Sequence, residues 1–246
     1  MNRIEDYEVL KNRIVEWLQD YTSRAGITAL VVGVSGGIDS AVSSTLAAET
    51  GLPTYALGMP LLQKPEQESL SDTHLNWLGD NYGNVITEKF DLSNLFETFR
   101  YTMRGYSKDD LALANSRSRL RMVTLYQVAQ TVGGIVVGTG NKVEDYGIGF
   151  YTKYGDGGVD IAPIADLYKT EVWELGRHLG INEKIINAKP TDGLWDDGRS
   201  DEDQIGATYA ELEEAMENGT GKAVNILDNF NRKNRHKMEP IPTFKL

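Results

Sequence analysis

The chain has 246 residues, with 25 basic and 36 acidic side chains, a formal net charge of −11 and no cysteine. At roughly 100–200 residues per domain this length admits one large α/β domain or two small ones, and the lack of cysteine excludes disulfides, thiolate nucleophiles, iron–sulfur clusters and cysteine-based zinc sites. The negative field disfavours non-specific nucleic-acid binding, and no run of about 18 uncharged apolar residues is present to span a membrane. The three histidines, His74, His178 and His236, are far apart, so magnesium held by carboxylates is the metal chemistry that remains. The opening Met-Asn-Arg-Ile-Glu-Asp lacks the basic-then-apolar order of an export signal, and a cytoplasmic protein is expected.

Ile4, Tyr7, Leu10, Ile14, Trp17, Leu18 and Tyr21 recur at helical spacing and predict an amphipathic helix over 4–22, ended by Ala25-Gly26. Residues 28–34 are an apolar run with little alternation, as in a parallel strand buried on both faces. After Ser35-Gly36-Gly37 the helical period resumes to Gly51, and 54–58 reads as a second strand, which completes a βαβ unit. A helix over 65–80, a strand near 85–90, helical segments around 92–104 and a long helix over 110–131 follow. Gly133-Gly134 ends that helix and 135–138 is a third apolar strand of the same buried kind. The Gly-rich stretch 138–158 is long for a connection, which marks it as functional. Beyond it lie a helix over 172–179, one acidic helix over 201–216, and a basic, proline-punctuated terminus from Phe230.

No repeat or hydrophilic linker divides the sequence, so 1–246 is expected to be a single domain. Alternating strands and helices imply an α/β fold, Rossmann-like and three-layered, with a mostly parallel sheet sandwiched by helices. Such sheets bind ligands outside the carboxyl ends of their strands.

The segment Gly33-Val34-Ser35-Gly36-Gly37-Ile38-Asp39-Ser40 lies at that position, between a strand and a helix. Glycines let consecutive backbone N–H groups point into one concavity, the helix N-terminus adds positive potential, and Ser35 and Ser40 can donate hydroxyls. A carboxylate beside bound phosphate is repulsive unless a divalent cation stands between, so Asp39 suggests Mg²⁺ bridging protein and nucleotide. The structural alternative is a tight βα turn in which Asp39 caps the helix. The segment is neither a Walker A loop nor Gly-x-Gly-x-x-Gly.

Ser35-Gly36-Gly37-Ile38-Asp39-Ser40 resembles the pyrophosphate loop of the N-type ATP pyrophosphatases, and Gly138-Thr139-Gly140-Asn141-Lys142-Val143-Glu144, Tyr151-Thr152-Lys153-Tyr154-Gly155-Asp156-Gly157-Gly158-Val159-Asp160 and Leu167-Tyr168-Lys169-Thr170 resemble the central block of the ammonia-dependent NAD synthetases. Lys189-Pro190-Thr191-Asp192-Gly193-Leu194-Trp195 and His236-Lys237 correspond as well, so the resemblance covers about 5–246. It implies an adenine nucleotide alpha hydrolase-like fold and ATP-dependent amidation of deamido-NAD by ammonia, through an adenylated dinucleotide, to NAD⁺, AMP and pyrophosphate. The implied ATP contacts are Gly33, Val34, Ser35, Gly36, Gly37, Ile38, Asp39, Ser40, Thr139, Lys169 and Thr191. The implied metal ligands for Mg²⁺ are Asp39 and Glu144, each just past a buried strand, and the implied deamido-NAD contacts are Arg119, Lys153, Asp160, His236 and Lys237. A homodimer with the dinucleotide near the subunit interface is implied too, with the Arg119 helix a candidate for that surface.

Some of these residues also have plainer readings. Lys169 can be a helix-surface lysine near Glu171 and Glu174, and Arg232, Lys233, Arg235, His236 and Lys237 a solvated basic tail. Arg117, Arg119 and Arg121 fan over a broad helical arc; Arg119 is chosen for the ligand, and the other two are expected in surface ion pairs or a subunit contact. Between Glu144 and Lys153 the chain has one residue more than many family members, which leaves Glu144 or Asp145 as the second metal ligand. With no cysteine and no amidase segment, no glutaminase domain is expected, and ammonia comes free or from a partner. Two rivals share the loop: a tRNA-modifying pyrophosphatase, disfavoured by the sequence pI of about 4.8, and a non-enzymatic ATP-binding regulator, which has no need of Glu144, Lys169 and Lys153 together.

Overall fold

The computed structural model describes residues 3–63, 65–191 and 199–246. In chain order these residues form α1 (Tyr7–Ala25), β1 (Ala29–Gly33), α2 (Ile38–Glu49), β2 (Thr54–Gly58), α3 (Pro65–Asn81), β3 (Val85–Lys89), α4 (Ser93–Thr102), α5 (Asp110–Val132) and β4 (Gly134–Val137). A π-helix (Val143–Ile148) follows, then α6 (Lys169–His178), α7 (Glu183–Ile186), α8 (Asp201–Ile205), α9 (Tyr209–Asn218) and α10 (Val224–Met238). Local chemistry sets the helix ends. Asp6 receives the Glu8 and Val9 N–H groups at the start of α1, and Asp109 receives the Ala112 N–H at the start of α5.

The four strands lie in the order β3-β2-β1-β4, all parallel, with Val31 opposite Tyr55 on one side and Val136 on the other. Alternation along β1 feeds two cores. Leu30 and Val32 pack with Val42 and Leu46 of α2, Leu18 of α1, Leu78 of α3 and Leu175 of α6. Val31 packs on the opposite face with Leu57, Phe96 of α4 and Ala129 of α5. This is the three-layer α/β sandwich expected from the apolar strands. A third cluster, Val143, Ile148, Ile205, Tyr209 and Leu212, joins the π-helix to α8 and α9.

Three expectations change. The acidic stretch 201–216 is two helices, because Gly206 ends α8 and Thr208 starts α9 in a reciprocal cap with Glu211. The basic terminus is not an irregular tail: α10 is helical to Met238, and its Asn231 and Asn234 donate to the Gly147 and Ile148 carbonyls at 3.0 and 2.8 Å, while Arg232, Lys233, Arg235 and His236 stay exposed. The stretch 138–158 holds the π-helix within it. A π turn carries one residue more than an α turn, and Glu144 and Asp145 both stand in its first turn.

His74 of α3 is 1% exposed and its Nε2 lies 2.9 Å from the Ser44 hydroxyl. Burial lowers its pKa to about 4, so between about pH 6.5 and 4 the unfolded chain binds a proton that the folded chain refuses. Stability is therefore expected to fall with acidification through that window, by about 3 kcal/mol from this residue. His74→Gln should flatten the drop in thermal midpoint between pH 7 and 4.5 relative to wild type; parallel curves would remove His74 as its source.

Candidate active site

All eight residues 33–40 line one cavity of about 590 Å³ at the carboxyl ends of β1 and β4, a size typical of small-molecule sites. The loop is knit by its own serines. Ser40 Oγ donates to the Gly37 carbonyl at 2.9 Å, receives the Ser35 N–H at 3.1 Å and sits 3.0 Å from Ser35 Oγ, while Ser35 Oγ accepts the Gly37 N–H at 3.2 Å. Gly36 takes φ +90°, which L side chains rarely adopt. Gly37 caps α2 with no side-chain hydrogen bond, so the first N–H groups of that helix are open to an anion.

Asp39 is not the helix cap. It stands in the first turn of α2, where Oδ1 accepts from Asn141 Nδ2 at 3.0 Å and Oδ2 from Lys169 Nζ at 2.5 Å. The same ammonium donates to Glu144 Oε1 at 3.0 Å, and the Tyr209 hydroxyl donates to that oxygen at 2.6 Å. Lys169 is 2% exposed, which overturns the helix-surface reading. Its nitrogen lies 4.9 Å from the Tyr209 ring centroid, a cation–π distance.

The electrostatics follow from this packing. Burial opposes the charge on Lys169, but Asp39 and Glu144 outweigh it and raise the pKa above the ordinary lysine value. Burial likewise opposes the charge on both carboxylates. It prevails at Asp39, whose pKa is raised, whereas at Glu144 the attraction of Lys169 and the bond from Tyr209 bring the pKa below its ordinary value. Asp145 also lines the cavity, but its carboxylate lies against Gly140, where any Cβ would overlap it. Burial, then Glu144, pushes Asp145 up to about 8. The point on which Asp39 and Glu144 converge is the Lys169 ammonium, and carboxylates together with phosphate oxygens are the donors a hard cation such as Mg²⁺ takes. Among the described residues no group of three or more His, Cys, Asp or Glu is arranged to hold a metal unaided.

The structure thus gathers the whole implied ATP set, since Thr139, Lys169 and Thr191 line the same cavity as the loop. The segment 192–198, from Asp192 through Leu194 and Trp195, lies outside the described residues. The implied dinucleotide set is dispersed. Lys237 lines the cavity and donates to the Tyr151 carbonyl at 2.8 Å. Arg119, Lys153 and His236 form a chain beside it: Arg119 Nε donates to the Lys153 carbonyl at 3.3 Å, and Lys153 Nζ to the His236 carbonyl at 2.8 Å. Asp160 is exposed and away from the cavity lining; it accepts the Val136 N–H at 2.8 Å and the Tyr126 hydroxyl at 2.9 Å.

Three further residues line or support the site, two of them, Asn141 and Tyr209, given no role by the sequence and one, Arg121, expected elsewhere. Asn141 joins the two metal candidates, donating to Asp39 while its Oδ1 accepts the Val143 and Glu144 N–H groups, each at 3.1 Å. An Asn before a helical start is a cap signal, so this role was legible. Arg121, expected on the surface, instead lines the cavity and donates to the Met59 carbonyl at 3.1 Å and to Gln63 at 2.9 Å; burial lowers its pKa to about 10. Tyr209, in a separate acidic segment, carried no local signal.

The family model described as NAD synthase matches residues 10–241. The NH(3)-dependent NAD(+) synthetase of Methanosarcina acetivorans is 38% identical over 263 residues, covering 96% of this chain and 98% of that protein. The solved structure of NMN synthetase from Francisella tularensis superposes with a TM-score of 0.92 at 32% identity, covering 99% of this chain and 100% of that one. The NH3-dependent NAD synthetase from Campylobacter jejuni shares the fold at TM-score 0.78 and 23% identity, over 98% of this chain and 100% of that one.

Proposed function

Since the chain belongs to the NAD synthase family, we propose that it amidates the nicotinate carboxylate of deamido-NAD with ammonia at the expense of ATP. It is an ammonia-dependent ligase, acting in this reading as one domain over 1–246. A carboxylate oxygen of the dinucleotide attacks the ATP α-phosphorus, the bond to the bridging oxygen breaks, and pyrophosphate leaves with the electron pair. Ammonia then attacks the acyl carbon of the adenylated dinucleotide, loses a proton to water, and AMP departs with the acyl C–O electrons. The products are NAD⁺, AMP and pyrophosphate.

The observation that carries this reading is the meeting of Asp39, Glu144 and Lys169 beside the 33–40 loop. Joining two anions requires positive charge where negative charge accumulates. The N–H groups of the loop and α2 hold the leaving pyrophosphate, and Lys169, a point cation held in place by Asp39 and Glu144, offsets its growing charge. Mg²⁺, held by Asp39 and Glu144, would neutralise phosphate charge there. Sharing of Lys169 with Asp39 supports Glu144 over Asp145 as the second ligand. Lys237, with Arg119, Lys153 and His236 beside it, receives the dinucleotide, while Asp160 contributes from the exposed edge. The Arg119 helix, on which Leu111 and Val123 are each 57% exposed, is the proposed homodimer face. The reading places the enzyme in the cytoplasm.

A second reading is the same amidation on nicotinate mononucleotide. It is favoured by the TM-score of 0.92 with an NMN synthetase, against 0.78 with an NAD synthetase. Purified protein given ATP, Mg²⁺ and ammonium with each acceptor in turn is expected to form NAD⁺ from deamido-NAD one-for-one with AMP. A kcat/KM at least about tenfold higher on the mononucleotide, equal to 1.4 kcal/mol in favour of the smaller acceptor, would establish the second reading instead. No amide from either acceptor would overturn both.

A further inference from the structure

Lys169 is the first residue of α6, so the turn before that helix fixes where its ammonium points. Arg3 holds that turn from three sides. Its guanidinium makes a two-point pair with Glu171, Nε to Oε1 and Nη2 to Oε2 each at 3.0 Å. Nη2 also donates to the Asp166 carbonyl at 2.7 Å, and the guanidinium lies 4.5 Å from the centroid of the Tyr168 ring. Glu171 Oε2 in turn accepts the Tyr168 N–H at 2.8 Å at the start of α6. Lys142 completes the grip: its N–H bonds the Leu167 carbonyl at 2.8 Å, its ammonium pairs with Asp166 at 2.7 Å and lies 5.1 Å from the Tyr168 ring centroid.

We infer that Arg3 is a positioning residue of the active site, which clamps the Asp166–Tyr168–Glu171 turn and thereby sets Lys169 between Asp39 and Glu144. Arg3 precedes the segment matched by the family model, which begins at residue 10. Its side chain is 29% exposed, and α1, the helix that follows it, has its own cap at Asp6. A planar fork suits this task better than a point charge, because two parallel bonds fix an orientation as well as a distance.

The inference rests on the reading of Lys169 as an ATP-site residue, and a double-mutant cycle separates the two. AMP release is measured for wild type, Arg3→Ala, Lys169→Ala and the double variant, with Arg3→Lys alongside. Arg3→Ala is expected to lower kcat/KM for ATP about tenfold, the scale of a small misplacement of a reacting group, with KM for ammonium unchanged and a thermal midpoint within about 2 °C of wild type. Arg3→Lys should recover less than half of that loss. In the Lys169→Ala background, Arg3→Ala should cause no further loss, because the group through which it acts is gone. The same tenfold loss in both backgrounds, or none in either, overturns the inference. Wild-type kinetics in Lys169→Ala alone would instead overturn the reading of Lys169.

Discussion

Replacing Lys169 with alanine is expected to lower kcat/KM for ATP by about 100- to 1000-fold, the cost of removing one preorganised charge from a site where negative charge develops. Lys169 is 2% exposed, and its ammonium bonds Asp39 and Glu144 at 2.5 and 3.0 Å. Without it, two half-buried carboxylates face one another, and the attraction that offsets their burial is gone. One carboxyl should then retain a proton at neutral pH, as paired acids sharing a site do. Lys169→Arg is expected not to restore activity, since a planar guanidinium cannot occupy a point-charge position against the Tyr209 ring, 4.9 Å away. Initial rates of AMP release under saturating Mg²⁺ and ammonium test this. Activity within a factor of three of wild type in Lys169→Ala would sink the assignment.

Asp39→Asn is the second substitution with a large expected effect. The amide can keep a hydrogen bond with Asn141 but removes the negative charge from the oxygen that faces Lys169. Glu144 then balances the ammonium alone, and folding stability should fall by about 1–3 kcal/mol, the cost of leaving a buried charged donor poorly matched. The rate should fall by about 100-fold or more, because one of the two carboxylates proposed to hold Mg²⁺ is lost. The half-saturating Mg²⁺ concentration should rise while KM for the carboxylate acceptor stays near wild type. Titration of the initial rate with Mg²⁺ at fixed ATP, with thermal melts in parallel, measures both. An unchanged Mg²⁺ requirement with a reduced rate would confine Asp39 to orienting Lys169 and remove it from the metal site.

These two effects meet at a cluster that the sequence only half disclosed. The loop around Asp39 was legible because a glycine turn between an apolar strand and a helix is written in eight consecutive residues. Glu144 followed from its place after β4 and from the motif around it. That both carboxylates share one lysine was not legible, and the plainer reading of Lys169 was a surface residue, since its neighbours Glu171 and Glu174 supply ion-pair partners at helical spacing. In the fold, Glu171 turns instead to Arg3 and the Tyr168 N–H, and Lys169 faces inward. Arg119 and Arg121 exchange prominence for a similar reason. Their spacing showed that they point apart, but which of the two faces the cavity depends on how α5 is rotated against β1 and β4.

By itself the sequence determined the order of the strands and of the helices as far as α5, the parallel sheet, the phosphate-loop geometry and the family. Each is carried by short-range periodicity, turn chemistry or contiguous motifs, which depend on residues within a few positions of one another. Only the tertiary structure decided the charge network. Lys169 meets Asp39 across 130 positions, Asn141 meets Asp39 across 102, and Tyr209 meets Glu144 across 65. Contacts at such separation are fixed by the packing of whole layers, and the burial that makes each of these charges consequential exists only once those layers have closed.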